Sequence, residues 1–330
     1  MGDVMKERLL QVENLKTYFS ITQGQVRAVD GVSFTLDHGE SIGLVGESGC
    51  GKTTTALSVI KLLPEEGKVV SGKIRFCGRD ITDSDENAML DIRWKEISMV
   101  FQGAMNALNP VKRISNQIAE AILIHEKVSK RESMARVKEL FELVDLDPKL
   151  MDRYPHEFSG GMRQRAIIAM ALACGPKLVI GDEPTTALDV MVQAQIIDLI
   201  NGLRKKLGMS LIMITHDLSI ITETCDRIAV MYAGKIVETG TTSQVVSRTL
   251  HPYTDRLIHA FPNIYGERRM VDSIPGNPPD LFHPPAGCRF AARCHKRIGD
   301  VCDRVEPPLI PLDDRGHAVA CHLYEEGGIR

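Results

Sequence analysis

Gly46-Glu-Ser-Gly-Cys-Gly51-Lys52-Thr53 is the segment from which the architecture of this 330-residue chain can be worked out. It lies where the apolar run Ser41–Gly46 (SIGLVG) gives way to a helix-forming stretch, Gly51–Leu63, so it reads as strand, glycine-rich turn and helix start. Glycines let such a turn curl until successive N–H groups and the helix N-terminus face one anion. Gly46, Ser48, Gly49, Cys50 and Gly51 would surround the phosphates of ATP, with Thr54 behind them. Lys52 would bring its charge to the β- and γ-phosphates, and the Thr53 hydroxyl would ligate Mg²⁺.

Two runs further along have the same apolar character. Lys177–Asp182 (KLVIGD) and Ser210–Thr215 (SLIMIT) are short and rich in branched residues, as suits strands buried on both faces of a parallel sheet. With Val190–Leu207 reading as helix, the first 250 residues form an α/β, P-loop NTPase type of fold. Asp182 and Glu183 close the first of these runs. A strand ending in two acids would set Asp182 beside the magnesium and Glu183 where it can take a proton from the attacking water. Between Gln102 and Ser159 the pattern turns helical. Met134, Val137, Leu140, Phe141 and Val144 share one face of Ser129–Leu146, and Ser129 with Glu132 spells a capping box. A helical subdomain over about 103–165 is therefore expected inside a nucleotide-binding domain spanning 1–250.

A net charge of −3 gives no general surface for nucleic acid, which is not an expected partner. No apolar run reaches the roughly 18–20 residues that cross a bilayer, and Met1–Leu10 lacks the apolar core of a signal peptide. The chain is expected in the cytosol, able to dock on a membrane protein. Ten of its 16 prolines fall from Pro252 onward, so residues 251–330 read as a loop-rich C-terminal domain with little helix or central strand. Cys288, Cys294, Cys302 and Cys321 lie in that tail without a C-x-x-C pair. A reducing compartment disfavours disulfides. Four thiolates can hold zinc or an iron–sulfur cluster, or stay unligated, and His283, His295, His317 or His322 could replace one of them. Cys50, Cys77, Cys174 and Cys225 are scattered, with no metal-ligand spacing among them.

Phe158-Ser-Gly-Gly-Met-Arg-Gln-Arg165 resembles the signature of ABC ATPases, usually spelled LSGGQ. The Ser-Gly-Gly centre is intact, and Phe158 and Met162 depart at the two ends. Gln102 matches the family's Q-loop, Thr186-Ala-Leu-Asp189 its D-loop and His216 its switch histidine. These motifs cover about residues 9 to 240 in the family's order. The FSGGMRQR spelling and three tail segments resemble the oligopeptide/dipeptide importer branch. The tail segments are His251-Pro-Tyr-Thr, Ile274-Pro-Gly-Asn-Pro-Pro and Gly287-Cys-Arg-Phe-Ala-Ala-Arg-Cys294. The resemblance thus spans nearly the whole chain.

The resemblance implies an ABC nucleotide-binding domain with a helical subdomain and a C-terminal extension. It implies two such domains meeting head to tail, with ATP held between the P-loop of one and the signature of the other. Ser159, Gly160 and Gly161 would touch ATP bound to the partner, and Asp189 would couple the two sites. His216 would contact the γ-phosphate, and Gln102 would sense the metal and the attacking water. An aromatic is expected to stack on adenine, either Tyr18 or Phe19, with the spacing after Asn14 favouring Phe19. The implied partners are two transmembrane permease subunits, near Gly103–Pro110, and a second ATP-binding subunit that is a different chain. An external substrate-binding protein would deliver the cargo. Relatives with similar tails move peptides, nickel or sugars. Within the branch, the four late cysteines imply a 4Fe-4S cluster, with zinc as the alternative.

Overall fold

The computed structural model describes residues 8–104, 107–260, 274–314 and 316–325. The chain runs through strands β1 (Leu10–Ile21), β2 (Gly24–Leu36) and β3 (Ser41–Val45) into helix α1 (Lys52–Val59). Next come β4 (Gly67–Phe76), β5 (Arg79–Asp80), α2 (Glu86–Ile92) and β6 (Ile97–Val100). Three helices follow, α3 (Ile114–His125), α4 (Lys130–Leu143) and α5 (Gly160–Ala171). Then β7 (Leu178–Asp182), α6 (Val190–Leu207), β8 (Ser210–Thr215) and α7 (Leu218–Thr224) alternate. They lead to β9 (Arg227–Tyr232), β10 (Lys235–Thr241), α8 (Thr242–Ser247) and α9 (Pro252–His259). The last elements are α10 (Val301–Arg304), β11 (Ile310–Pro311) and β12 (Ala318–Val319).

These elements form two compact units. One comprises Asp37–Ser41 and Asp83–Ile214; the other comprises Arg8–Leu36, Ile42–Thr82 and the described residues from Thr215 onward. In the first unit, β6, β7 and β8 pair in parallel, in that order. Every residue of β7 and β8 is buried, which is why both read as unbroken apolar runs. Helices α3, α4 and the first half of α5 fall within the segment expected to be helical, and α5 runs past it to Ala171. The capping box at the start of α4 is present: Ser129 Oγ accepts from the Glu132 N–H at 3.3 Å, and the Glu132 carboxylate accepts from the Ser129 N–H at 2.7 Å. Phe141 of α4 meets Phe158 edge-on at 6.5 Å between ring centres. Met105 and Asn106, within the expected permease-facing stretch, lie outside the described residues.

In the second unit, β2, β1, β4 and β5 form an antiparallel sheet in that order. Strand β3 lies parallel to β9, which pairs antiparallel with β10, and β10 in turn pairs with β12. The tail therefore closes onto a sheet edge. A buried carboxylate fixes it there: Glu238 on β10 accepts from the Leu250 and His251 N–H groups at 3.0 and 2.9 Å and from His317 Nε2 at 2.9 Å. One expected helix is shorter than the sequence suggests. The stretch Gly51–Leu63 is helical only over Lys52–Val59, because Lys61 turns to φ +51° and Pro64 follows. The tail also holds more helix than its prolines suggest. Pro252 at the first turn of α9 needs no N–H partner, so the ring favours this helix start.

Candidate active site

The loop after β3 is shaped by close backbone approaches. A Cβ on Gly46 would sit 2.1 Å from the Met231 carbonyl oxygen, and one on Gly51 would sit 2.3 Å from that of Ala28. Gly51 also stands at φ +102°, at the left-handed N-cap of α1, so a glycine is required there twice over. Lys52 is 7% exposed, and its ammonium donates to the Gly46 and Glu47 carbonyls at 2.7 and 3.0 Å. The lysine thus spans its own loop, with Cys50 Sγ at 3.6 Å. Burial pushes the Cys50 thiol up, so it stays protonated beside that charge. Ser48, Gly49 and Thr53 are exposed, and Thr54 is half-buried. His216, exposed at the end of β8, belongs to the same unit.

The two acids of the first unit differ in setting. Asp182 is 2% exposed at the end of β7, whereas Glu183 turns outward with φ +46°, a left-handed backbone for a non-glycine residue. The Glu183 N–H donates to the Ile214 carbonyl at 2.8 Å, which holds the turn. Its carboxylate accepts from Gln102 Nε2 at 2.7 Å and from the Thr186 hydroxyl at 3.1 Å. Gln102 and Glu183, far apart in the chain, are therefore brought into direct contact. Asp189 caps α6 by accepting from the Val192 N–H at 2.9 Å, and Ser159 caps α5 by accepting from the Met162 N–H at 3.3 Å. Position 162 meets Ser159 through its backbone, a contact open to any non-proline side chain. A Cβ on Gly161 would lie 2.7 Å from Val192 Cγ1, and Gly160 is half-buried.

The two aromatic candidates for adenine part company on β1. The Tyr18 hydroxyl donates to Asp30 at 2.8 Å, and Arg27 sits over its ring. Phe19 is half-buried against Gly67, where a Cβ would come within 2.9 Å of its ring. Asp30 is itself buried and ion-paired with Arg289 from the tail. Burial alone would raise its pKa, but the Tyr18 hydroxyl, Lys235 and Arg289 outweigh that and hold it below the usual carboxylate range.

All four late cysteines border one small cavity, together with His251 and His322. All eight cysteines of the chain are free. Burial pushes the Cys288 thiol up to about 12 and that of Cys321 up to about 11, and Cys294 is raised too. The four neighbouring histidines each have a partner other than a cysteine. His317 serves Glu238, and His322 bonds Glu325 and the Val305 carbonyl at 2.7 and 2.8 Å. His295 accepts from Arg256 Nε at 3.1 Å, and His283 lies beside Asp280. His251 is different. Its Nδ1 accepts from the Tyr253 N–H at 3.0 Å, so the neutral ring carries its proton on Nε2, and that buried atom has no hydrogen-bond partner among the described residues. The four cysteines and His251 thus border the same cavity. No three His, Cys, Asp or Glu side chains among the described residues stand close enough to hold one metal ion.

Residues 29–186 match the ABC transporter family, and residues 237–302 match the oligopeptide/dipeptide transporter C-terminal region. A probable peptide ABC transporter ATP-binding protein of Sinorhizobium fredii is 47% identical over 322 residues, covering 96% of each chain. A dipeptide transport ATP-binding protein of Bacillus subtilis is 46% identical over 97% of this chain and 96% of its own. The chain belongs to the oligopeptide/dipeptide family of ABC transporter ATP-binding subunits. Among solved structures, a dimeric, post-hydrolysis ATP-binding cassette bound to ADP and Pi matches this ABC subunit with a TM-score of 0.63. That likeness has 25% identity and covers 71% of this chain and 98% of the other.

Several residues that frame the ABC subunit's phosphate loop escape a sequence reading. Glu47, Tyr253 and Arg293 meet at the loop, and Asp30 meets Arg289 behind it. The one available signal is the pair of arginines inside the Cys288–Cys294 turn, two charges in an otherwise apolar stretch.

Proposed function

We propose that this chain is the ATP-hydrolysing motor of a membrane importer for dipeptides or oligopeptides, held peripherally on the cytoplasmic face of the membrane. The carrying observation is near-full-length similarity to dipeptide and oligopeptide transport ATP-binding proteins, in a chain whose Glu183 and Gln102 already touch. In this reading residues 1–250 are the cassette, with a helical subdomain at about 103–165, and 251–330 are its extension.

Lys52 would exchange its two loop carbonyls for the β- and γ-phosphates, while the N–H groups of Gly46 to Thr54 line them. Thr53, Asp182 and Gln102 would hold Mg²⁺, which supplies charge neutralisation on the phosphates. Glu183 would take the proton of the attacking water, and His216 would contact the γ-phosphate. Phe19 serves adenine better than Tyr18, whose hydroxyl is committed to Asp30. Ser159, Gly160 and Gly161 would face ATP on a second ATP-binding subunit, a different chain, and Asp189 would couple the two sites. Val190 and Met191, 77% and 73% exposed beside Asp189, support a protein partner at this place. Exposed Val111 and Ile124 support docking of the helical segment on two permease subunits, served by an external substrate-binding protein.

The thiol cavity supports a metal centre held by Cys288, Cys294, Cys302 and Cys321. In this reading the centre is a 4Fe-4S cluster, with zinc as the alternative, and its support is that all four cysteines border one cavity. The His251 N–H would then have a sulfur to meet.

Replacing Glu183 with Gln should leave ATP affinity nearly intact, slow hydrolysis by about a hundredfold or more and trap an ATP-bound dimer on gel filtration. Undiminished turnover in that variant would remove Glu183 from the chemistry. Uptake of labelled peptides by the reconstituted transporter, set against nickel and sugars, tests the cargo.

A further inference from the structure

Glu47, second in the phosphate loop, is held on three sides. Its N–H donates to the Tyr253 hydroxyl at 2.8 Å, its carbonyl accepts from Lys52 at 3.0 Å, and its carboxylate takes both Nη atoms of Arg293, at 2.7 and 2.9 Å. Two of these three holds come from beyond residue 250. Arg293 is fixed in its turn. Its Nε donates to the Pro275 carbonyl at 2.8 Å, and its Nη atoms reach the Tyr232 hydroxyl at 3.1 Å and the Ile274 carbonyl at 3.2 Å. The side chain is 5% exposed, so the guanidinium cannot slide away without leaving a buried charge unpaired.

We propose that Arg293 is a positioning residue for the nucleotide: the C-terminal extension reaches the phosphate loop through Arg293 and sets its curvature by way of Glu47. The proposal rests on the nucleotide reading of the loop given above. Two physical effects act together. A loop with glycines at 46, 49 and 51 has many conformations, and a two-point anchor on the residue between the first two removes most of them before ATP arrives. Glu47 is also an anion in a site for a triphosphate, and Arg293 cancels the charge it would otherwise turn toward the ligand. Arg293 adjoins Cys294, so the turn that borders the thiol cavity is also the turn that holds the loop.

The test is the equilibrium dissociation constant for a fluorescent ATP analogue with Mg²⁺, measured on the full chain purified without oxygen. Arg293→Gln should weaken binding about tenfold, the scale of one charge-assisted hydrogen bond. Adding Glu47→Gln to it should recover about threefold, because no uncompensated carboxylate then faces the phosphates. A purely structural arginine would give no such recovery. Glu47→Asp keeps the charge but cannot span both Nη atoms, and should weaken ATP about threefold. Binding within twofold of the parent in Arg293→Gln, or no recovery in the double variant, overturns the proposal. If Arg293→Gln does not fold, Glu47→Asp decides alone, and unchanged affinity there overturns it. Lys52→Ala separates the two readings: no loss in that variant sinks the nucleotide site itself, whereas loss there with none in Arg293→Gln sinks only the role of Arg293.

Discussion

Asp30 shows what a single residue carries in this chain. Buried at 6% exposure, it receives the Tyr18 hydroxyl and faces Lys16, Lys235 and Arg289. Its lowered pKa means that the unfolded chain binds a proton more readily than the folded one in the acid range. The stability it lends is therefore complete above the ordinary value of 3.8 and is lost as pH falls through its lower folded value. Asp30→Asn should cost about 3 kcal/mol at pH 7, since it leaves Arg289 buried without its anion. The same variant should flatten the acid limb of stability, and urea melts at pH 7 and pH 3 would show both effects. An acid limb as steep as the parent's would remove Asp30 from that role. The pairing itself is not legible in the sequence. Lys52 announces itself by local spelling, whereas Asp30 and Arg289 are 259 positions apart and Glu47 and Arg293 are 246 apart. Spacing patterns cannot report a partner at that distance.

Among the elements, what the sequence revealed was burial. Strands β3, β7 and β8 are buried on both faces, so each is an unbroken apolar run, and each was found within a residue of its expected bounds. Helix ends were less legible, because the stop after Val59 depends on one backbone angle at Lys61. The signature segment adds a packing demand hidden in its spelling. Gly161 lies where α5 approaches α6, and a methyl group there would press on Val192, a branched side chain with little freedom to turn. Gly161→Ala should lose about 1–3 kcal/mol in chemical denaturation, and adding Val192→Ala should restore most of it. Failure of that second change to restore stability would show that packing on α6 is not what requires the glycine.

For the molecule as a whole, likeness to a solved cassette covers 71% of the chain, and the C-terminal extension needs a source of cohesion of its own. Its prolines limit regular structure, and desolvation holds the thiols of Cys288, Cys294 and Cys321 protonated, so a bound cation is what would favour their thiolates. Anaerobic protein should carry about four iron and four sulfide per chain, both lost in Cys302→Ser. Zinc without sulfide, measured by metal analysis and a colourless visible spectrum, would replace the cluster by a single ion and require the cysteines to draw closer together. The sequence located these four ligand candidates; it left open which histidines stand among them, because His317 and His322 are claimed by Glu238 and Glu325 through the folded chain.

The 246 residues separating Glu47 from Arg293 also have a meaning in time. A ribosome adds roughly 5–20 residues each second, so the phosphate loop is made about 12–50 s before the arginine that grips it. Through that interval the nascent chain has the lysine and the glycines of the loop but lacks the tail side of its frame. An unfinished subunit is thus a poor trap for ATP, and a chain broken off before its last forty residues stays one. The order of synthesis itself withholds tight nucleotide binding from any copy not yet able to take its place in a transporter.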